Sequence, residues 1–255
     1  MLRKTLLFLS EHENLKETLL GLPAGRRMAA RFVAGETIAD ALSTARALDE
    51  SGFRVTLDYL GESVHEPNEA ERATAAYKES LERIAASDVR STISLKLTQL
   101  GLELDETACG ERLERIVARA AELGNFVRID MEDSGHTEAT LRLFRGVFSR
   151  HRNVGVVIQA YLRRSADDVA DLIRIGAPVR LCKGAYNESA PVAYQKGGEI
   201  DASFVRLMKA LLGPGPSVDG AMPVPRVALA THDDRLIEEG RRYALERGIP
   251  RDAFE

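Results

Sequence analysis

Val154-Gly155-Val156-Val157-Ile158-Gln159-Ala160 is apolar at every position but Gln159. A run of this kind, without polar alternation, is what a strand covered on both faces looks like. The stretch 165–175 that follows places its apolar residues at helical spacing, so strand and helix read as one unit of a parallel sheet. Five more runs share the character of the first: 54–59, 92–97, 126–131, 179–185 and 227–231. Amphipathic stretches separate or follow them at 69–86, 106–123, 138–150, 201–212 and 233–247.

Two architectures satisfy repeated βα units, a doubly wound open sheet and an eight-fold barrel. A dinucleotide-binding open sheet carries G-x-G-x-x-G after its first strand, but here that strand runs into Gly61-Glu62-Ser63. The expectation is therefore an α/β fold of the (β/α)8 TIM-barrel type. Six strands are present, and a seventh begins at Ala253-Phe254-Glu255, after the helix-ending Gly248-Ile249-Pro250. The last strands and final helix of the barrel are expected to be missing from this chain. Before residue 54, the segments 2–10, 15–20 and 37–51 read as helices, the last capped by Thr37. The expected division is an N-terminal helical arm over 1–52 and an incomplete barrel over 53–255. The glycine- and proline-rich segment 213–220 reads as a mobile loop.

Composition agrees with a globular protein. The chain has 255 residues, 44% hydrophobic and 29% charged, with a formal charge of −4. These values exclude collagen, disorder and coiled coil. Paired basic residues such as Arg26-Arg27 and Arg241-Arg242 are flanked by acids, and aromatics are only 5%, which excludes a nucleic-acid platform. Two cysteines, Cys109 and Cys182, are too few for a disulfide scaffold. Each reads as an inert buried thiol in a cytoplasmic protein. No apolar stretch approaches the ~20 residues that a membrane span needs.

Barrel chemistry gathers at the carboxyl ends of the strands. The polar residues there are Asp58, Lys96, Asp130 with Glu132, Gln159, Arg180 with Lys183, and Thr231 with His232. Charges embedded in apolar strands are costly unless paired or bound to a ligand, so their convergence indicates a polar ligand. Lys96 and Asp130, ending consecutive strands, are expected to form an ion pair. A lysine at such a position also suits imine formation with a carbonyl substrate. The histidines lack metal spacing, and no metal is expected. Asp130, Glu132 and Asp133 do not share the geometry of a carboxylate pair for glycoside hydrolysis. In Val179-Arg180-Leu181-Cys182-Lys183-Gly184-Ala185-Tyr186, Gly184 and Ala185 offer a small-residue floor for a flat ring, with a guanidinium beside it.

The segments Ser94-Leu95-Lys96-Leu97-Thr98-Gln99-Leu100-Gly101, Arg128-Ile129-Asp130-Met131-Glu132-Asp133-Ser134, Arg180 to Tyr186 and Ala230-Thr231-His232-Asp233 together resemble the proline dehydrogenases, specifically the monofunctional bacterial form. The likeness is collinear from about residue 30 onward. It implies a distorted (β/α)8 barrel, FAD as cofactor, oxidation of L-proline to Δ1-pyrroline-5-carboxylate as the first step of proline catabolism to glutamate, and transfer of electrons to a membrane quinone. It implies Lys96, Asp130, Tyr186 and Arg180 as catalytic-site residues. Asp130, Gln159, Arg180, Lys183, Gly184, Ala185, Lys196, Thr231 and His232 would bind the cofactor, with Arg180 near N5, Lys183 to Ala185 along flavin and diphosphate, Lys196 and Asp201 on the loop beyond, and Thr231 and His232 at the adenosine end. It also leaves room for peripheral contact with the inner face of the cell membrane and for a pyrroline-5-carboxylate dehydrogenase partner.

One departure from the family concerns its final helix, whose Tyr-x-x-Arg-Arg arginines clamp the proline carboxylate. Tyr161-Leu162-Arg163-Arg164 is one residue shorter, follows the fourth strand and is not that clamp. The chain as written is thus expected to turn over poorly without the segment that carries it. Two other functions remain open at this stage: a Schiff-base lyase or aldolase using Lys96 or Lys183, and a non-catalytic barrel fragment.

Overall fold

The structure is a computed structural model that describes residues 33–61, 63–213 and 226–255. The helices expected over 2–10 and 15–20, and most of the loop expected over 213–220, lie outside the described residues. The chain divides into two compact units, residues up to Val55 with Ser87–Ser91, and Thr56–Ala86 with Thr92–Glu255.

In the first unit, helix α1 (Ile38–Glu50) begins where the sequence indicates. The Thr37 hydroxyl accepts from the Asp40 amide at 3.2 Å, and the Asp40 carboxylate accepts from the Thr37 amide at 3.2 Å. This reciprocal box satisfies two amides that the helix cannot pair internally. Arg90 pairs with Asp49 at 2.8 Å.

The second unit is built on the alternation read from the sequence. The sheet comprises β1 (Val55–Asp58), β2 (Ser91–Leu95), β3 (Val127–Ile129), β4 (Val154–Gln159), β5 (Val179–Cys182) and β6 (Val227–Ala230), in sequential order. The pairs from β2 to β6 are parallel. Between and after the strands run α2 (Pro67–Ala85), α3 (Glu106–Glu122), α4 (Ser134–Phe148), α5 (Ser165–Arg174), α6 (Gly197–Leu211) and α7 (Asp234–Glu246). Several helices start earlier than their apolar spacing indicates, because their caps do. Pro67 stands in the first turn of α2, and Asp133 accepts from the Gly135 amide to open α4.

Side-chain parity divides the sheet into two chemically distinct faces. Leu95, Ile129, Val156, Ile158, Val179, Leu181 and Val227 are buried. The opposite parity carries Lys96, Arg128, Asp130, Gln159, Arg180 and Cys182, so successive residues answer to different solvents. Arg180 Nη2 donates to Thr56 Oγ1 at 3.2 Å. Four strand spacings separate β5 from β1, ~19 Å if the sheet were flat, which a single arginine cannot bridge. The sheet is therefore curled with this face inside, as in part of a (β/α)8 barrel. Beyond β6, Phe254 bridges Val227 in parallel register, and Leu229 donates to the Glu255 carbonyl at 2.7 Å, where the sequence indicates the start of a seventh strand.

Candidate active site

The strands stop short of the runs that announced them: β2 at Leu95, β3 at Ile129 and β5 at Cys182. Lys96, Asp130 and Lys183 thus stand just past the strand ends. A cavity of about 490 Å³ opens there. Its walls include Lys96, Asp130, Gln159, Arg180, Lys183, Gly184, Ala185, Tyr186, Thr231 and His232, all of them singled out in the sequence. Met131, Val157, Cys182 and Ala230 complete the lining. Lys196 does not line it and is exposed at the start of α6.

The charges in the cavity pair differently from the sequence expectation. Lys96 Nζ stands 3.7 Å from Asp58 Oδ2, and Arg180 Nη1 stands 3.8 Å from Asp130 Oδ1. The expected Lys96–Asp130 ion pair is replaced by these two, because curling brings β5 across to β3 and because β1 is as close a neighbour of β2 as β3 is. Burial raises the Asp130 carboxyl above its ordinary value, and the Arg180 guanidinium opposes that rise. Cys182, read as a core thiol, lines the cavity, with burial pushing its thiol up to about 11, so it stays protonated. Cys109 is fully buried, and burial pushes it up to about 12.

Gln159 is held from two sides. Its side-chain Nε2 donates to the Glu132 backbone carbonyl at 2.8 Å, and its backbone carbonyl accepts from Ser165 Oγ at 2.6 Å. The Glu132 carboxylate accepts from the Thr98 amide and hydroxyl at 3.1 and 2.5 Å, which removes it from any acid–base pair with Asp130. Glu188 accepts from Ser134 N and Oγ, both at 2.6 Å, and pins the loop that carries Tyr186 to the start of α4.

Lys183 faces away from the barrel axis toward two aspartates, Asp201 Oδ1 at 2.7 Å and Asp233 Oδ2 at 2.8 Å. Their hydrogen bonds hold its ammonium above the ordinary lysine range. Asp233 is correspondingly depressed, by Lys183 first and then Arg235. At Gly184 the backbone has φ +113°, and a Cβ would lie 2.2 Å from the ring of Tyr161. No other residue fits there. A second depression, about 600 Å³, is lined by Lys183, Thr231, His232, Asp233, Asp234 and Arg235 and shares its first three residues with the cavity. Arg163 and Arg164 turn elsewhere, Arg163 onto Tyr194 and Arg164 onto Asp168 and Glu138, consistent with their exclusion as a carboxylate clamp.

Asp58 is the residue that sequence reasoning undervalued. It stood among the strand-end charges, yet its partner was assigned to another strand. Val157 and Ala230 were also missed, and strand parity alone would have found both.

A family profile described as Proline dehydrogenase matches residues 41–255. The chain belongs to the proline dehydrogenase family. It is 38% identical to Proline dehydrogenase 1 of Bacillus subtilis over 256 residues, covering all of this chain and 81% of that protein. It is 34% identical to the proline dehydrogenase of Deinococcus radiodurans over 260 residues, covering 99% of this chain and 80% of that one. The bifunctional protein PutA of Escherichia coli matches over only 65% of this chain and 14% of its own length, at 33% identity, which sets the chain with the monofunctional bacterial proteins. Among solved structures, proline utilization A from Bdellovibrio bacteriovorus, inactivated by N-propargylglycine, superposes with a TM-score of 0.79 at 25% identity, covering 90% of this chain. The chain spans 28% of the length of that longer protein.

Proline dehydrogenases in general use a flavin, and the residues here fit one. Gly184 and Ala185 give the cavity a wall of small residues, Arg180 and Gln159 bring polar hydrogen-bonding groups to the same cavity, and Lys183 stands where it meets the second depression.

Proposed function

We propose that this chain carries the FAD-dependent oxidation of L-proline to Δ1-pyrroline-5-carboxylate, with quinone as electron acceptor. The observation that carries the reading is the convergence of Lys96, Asp130 and Arg180 on the wall of one cavity of about 490 Å³, with Arg180 paired to Asp130 and Lys96 to Asp58 outside the lining. Lys96, Asp130 and Tyr186 would receive proline, and Arg180 and Gln159 would face the flavin ring. The shared border of the two depressions favours a dinucleotide over a shorter flavin, with Lys183 at the phosphates and Thr231 and His232 toward the adenosine. Lys196, exposed beyond this border, would reach only the outer end of such a cofactor.

The flavin supplies the two-electron acceptor for hydride from the ring carbon beside the amine. The protein's own part is placement and charge. Arg180 provides a fixed positive charge beside the accepting ring, already oriented by Thr56 and Asp130, so little reorganisation is needed during reaction. Asp130, raised by burial, can accommodate the substrate amine in the form that loses its proton. Gln159, anchored by Glu132 and Ser165, keeps its remaining polar atoms available to the cavity.

A Schiff-base mechanism finds less support. An imine-forming lysine needs a free amine, whereas two aspartates keep Lys183 protonated. We assign the flavin and substrate site to 53–255 and treat 1–52 as a separate arm. Among the described residues no helix is long and apolar enough to cross a membrane. Delivery to a membrane quinone would then require peripheral contact with the inner face of the membrane, and the product would suit a pyrroline-5-carboxylate dehydrogenase.

The test is Arg180→Met, examined by stopped-flow reduction with proline. The expected result is flavin bound at normal stoichiometry and reduced at least about tenfold more slowly. Reduction at the parental rate would overturn the assignment of Arg180.

A further inference from the structure

Asp58 ends β1 with its two carboxylate oxygens in different situations. Oδ2 stands 3.7 Å from Lys96 Nζ, while Oδ1 is buried and has no hydrogen-bond partner among the described residues. Lys96 lines the cavity and Asp58 does not. The ammonium is therefore shared between the cavity and a carboxylate that is not part of its lining. At 3.7 Å the pair is a charge contact longer than a hydrogen bond, which leaves the ammonium protons free to point into the cavity.

The end of β1 is itself fixed. The Tyr59 carbonyl accepts from Gln99 Nε2 at 3.1 Å, and the Tyr77 hydroxyl, 3.4 Å from that carbonyl, donates to Gln99 Oε1 at 2.6 Å. Asp58, one residue earlier, is thus a fixed charge on a braced strand. Burying a carboxylate oxygen without a hydrogen bond is costly, and the charge of Lys96 beside Oδ2 offsets part of that cost.

We infer that Asp58 is a positioning residue that keeps Lys96 aimed at the carboxylate of the substrate and away from Asp130. This rests on the reading of Lys96 as a proline-binding residue. Lys96 already stabilises the charged form of Asp130 from the neighbouring strand. Without Asp58, that carboxylate is the anion left to attract the ammonium. A Lys96 drawn to it would occupy the place of the substrate amine and abandon the substrate carboxylate. With Asp58 present, the four groups form two neutral pairs, so a zwitterionic amino acid enters without adding net charge to the cavity.

The experiment uses the flavin-loaded full chain and four variants: Asp58→Asn, Asp58→Glu, Lys96→Met and the double variant Asp58→Asn with Lys96→Met. Steady-state proline oxidation gives kcat and KM. Cyclopentanecarboxylate, which keeps the ring and carboxylate but lacks the nitrogen, gives Kd by flavin absorbance. Asp58→Asn is expected to raise both KM and Kd about tenfold while kcat changes less than about threefold, Asp58→Glu to recover part of the loss, and Asp58→Asn to add nothing on a Lys96→Met background. Independent, multiplying effects in the double variant would overturn the inference. So would an unchanged KM in Asp58→Asn where Lys96→Met weakens binding. An unchanged KM in Lys96→Met would instead overturn the reading of Lys96, and the inference with it. Should Asp58→Asn fail to fold, Asp58→Glu decides: a raised KM that persists on the Lys96→Met background overturns the inference, and one that vanishes there supports it.

Discussion

Arg128 and Gly155 stand opposite each other in register on β3 and β4, and the guanidinium occupies the space that a side chain at Gly155 would fill. Arg128 is 2% exposed, lies over the Phe126 ring at 4.8 Å, and reaches Glu255 at 3.5 Å. Burial lowers it to about 10, with the charge of Arg180 adding to the effect. A methyl group at Gly155 would meet Arg128 Nη1, Phe126 Cζ and the Pro178 carbonyl, each at 2.8 Å. Two of these neighbours, the ring and the backbone oxygen, have little room to move. Gly155→Ala is expected to cost about 1–3 kcal/mol in urea unfolding. A neutral result would mean that the arginine relocates without penalty.

Gly184→Ala combines a left-handed backbone at φ +113° with a direct collision against Tyr161. The strained conformation alone costs about 1–3 kcal/mol. The loop that carries Ala185 and Tyr186 should shift, and the variant should purify with less flavin than the parent. Equal flavin content and an equal melting temperature would contradict this account.

Asp130 gives stability a pH dependence whose sign is fixed. Its carboxyl is easier to protonate in the folded chain than in the unfolded one, because burial outweighs Arg180. That contribution is full below the unfolded value near ~4 and is lost as pH rises through the folded pKa. Asp130→Asn should therefore gain stability relative to the parent as pH rises across that window, and hold a constant difference above it. Urea unfolding at steps from about pH 4 to about pH 8 measures this. A difference that does not vary with pH would remove the burial argument.

Lys183→Met would leave Asp201 and Asp233 facing the border between the two depressions with one cation fewer. Arg235, 3.3 Å from both aspartates, is exposed and compensates weakly. Flavin affinity should fall at least about tenfold, because a charge-assisted contact is exchanged for repulsion. Fluorescence titration of the apoprotein reads the change. Unaltered affinity would mean that the phosphates bind elsewhere.

The strands and crossover helices were legible because burial on both faces leaves a continuous apolar run, as in Val154 to Ala160, that needs no partner to recognise. The candidate site was legible as a set for a similar reason, since a charge ending such a run has few structural uses. Which charge meets which was not legible. The pairing of Lys96 with Asp130 follows from a flat sheet read strand by strand, whereas Arg180 reaches Asp130 and Thr56 through the interior of a curled one. Contacts made by the loops were hidden for a different reason. The grip of Glu188 on Ser134 depends on where an irregular segment comes to rest against the first turn of α4, and that segment carries no periodic signal.

The hydrogen bond from Arg180 to Thr56 joins residues 124 apart in the chain. A contact of such long range is slow to form, because the intervening chain must be ordered before it closes. It also sets a schedule during synthesis. At typical elongation rates the ribosome needs roughly 6–25 s to travel from the first of these residues to the second. For about the last two thirds of that interval Asp58 and Lys96 both exist without Arg180. The pocket is thus a late product of biogenesis, and substitutions that slow the arrival of β5 should lower the yield of flavin-competent protein even where they leave the finished molecule unchanged.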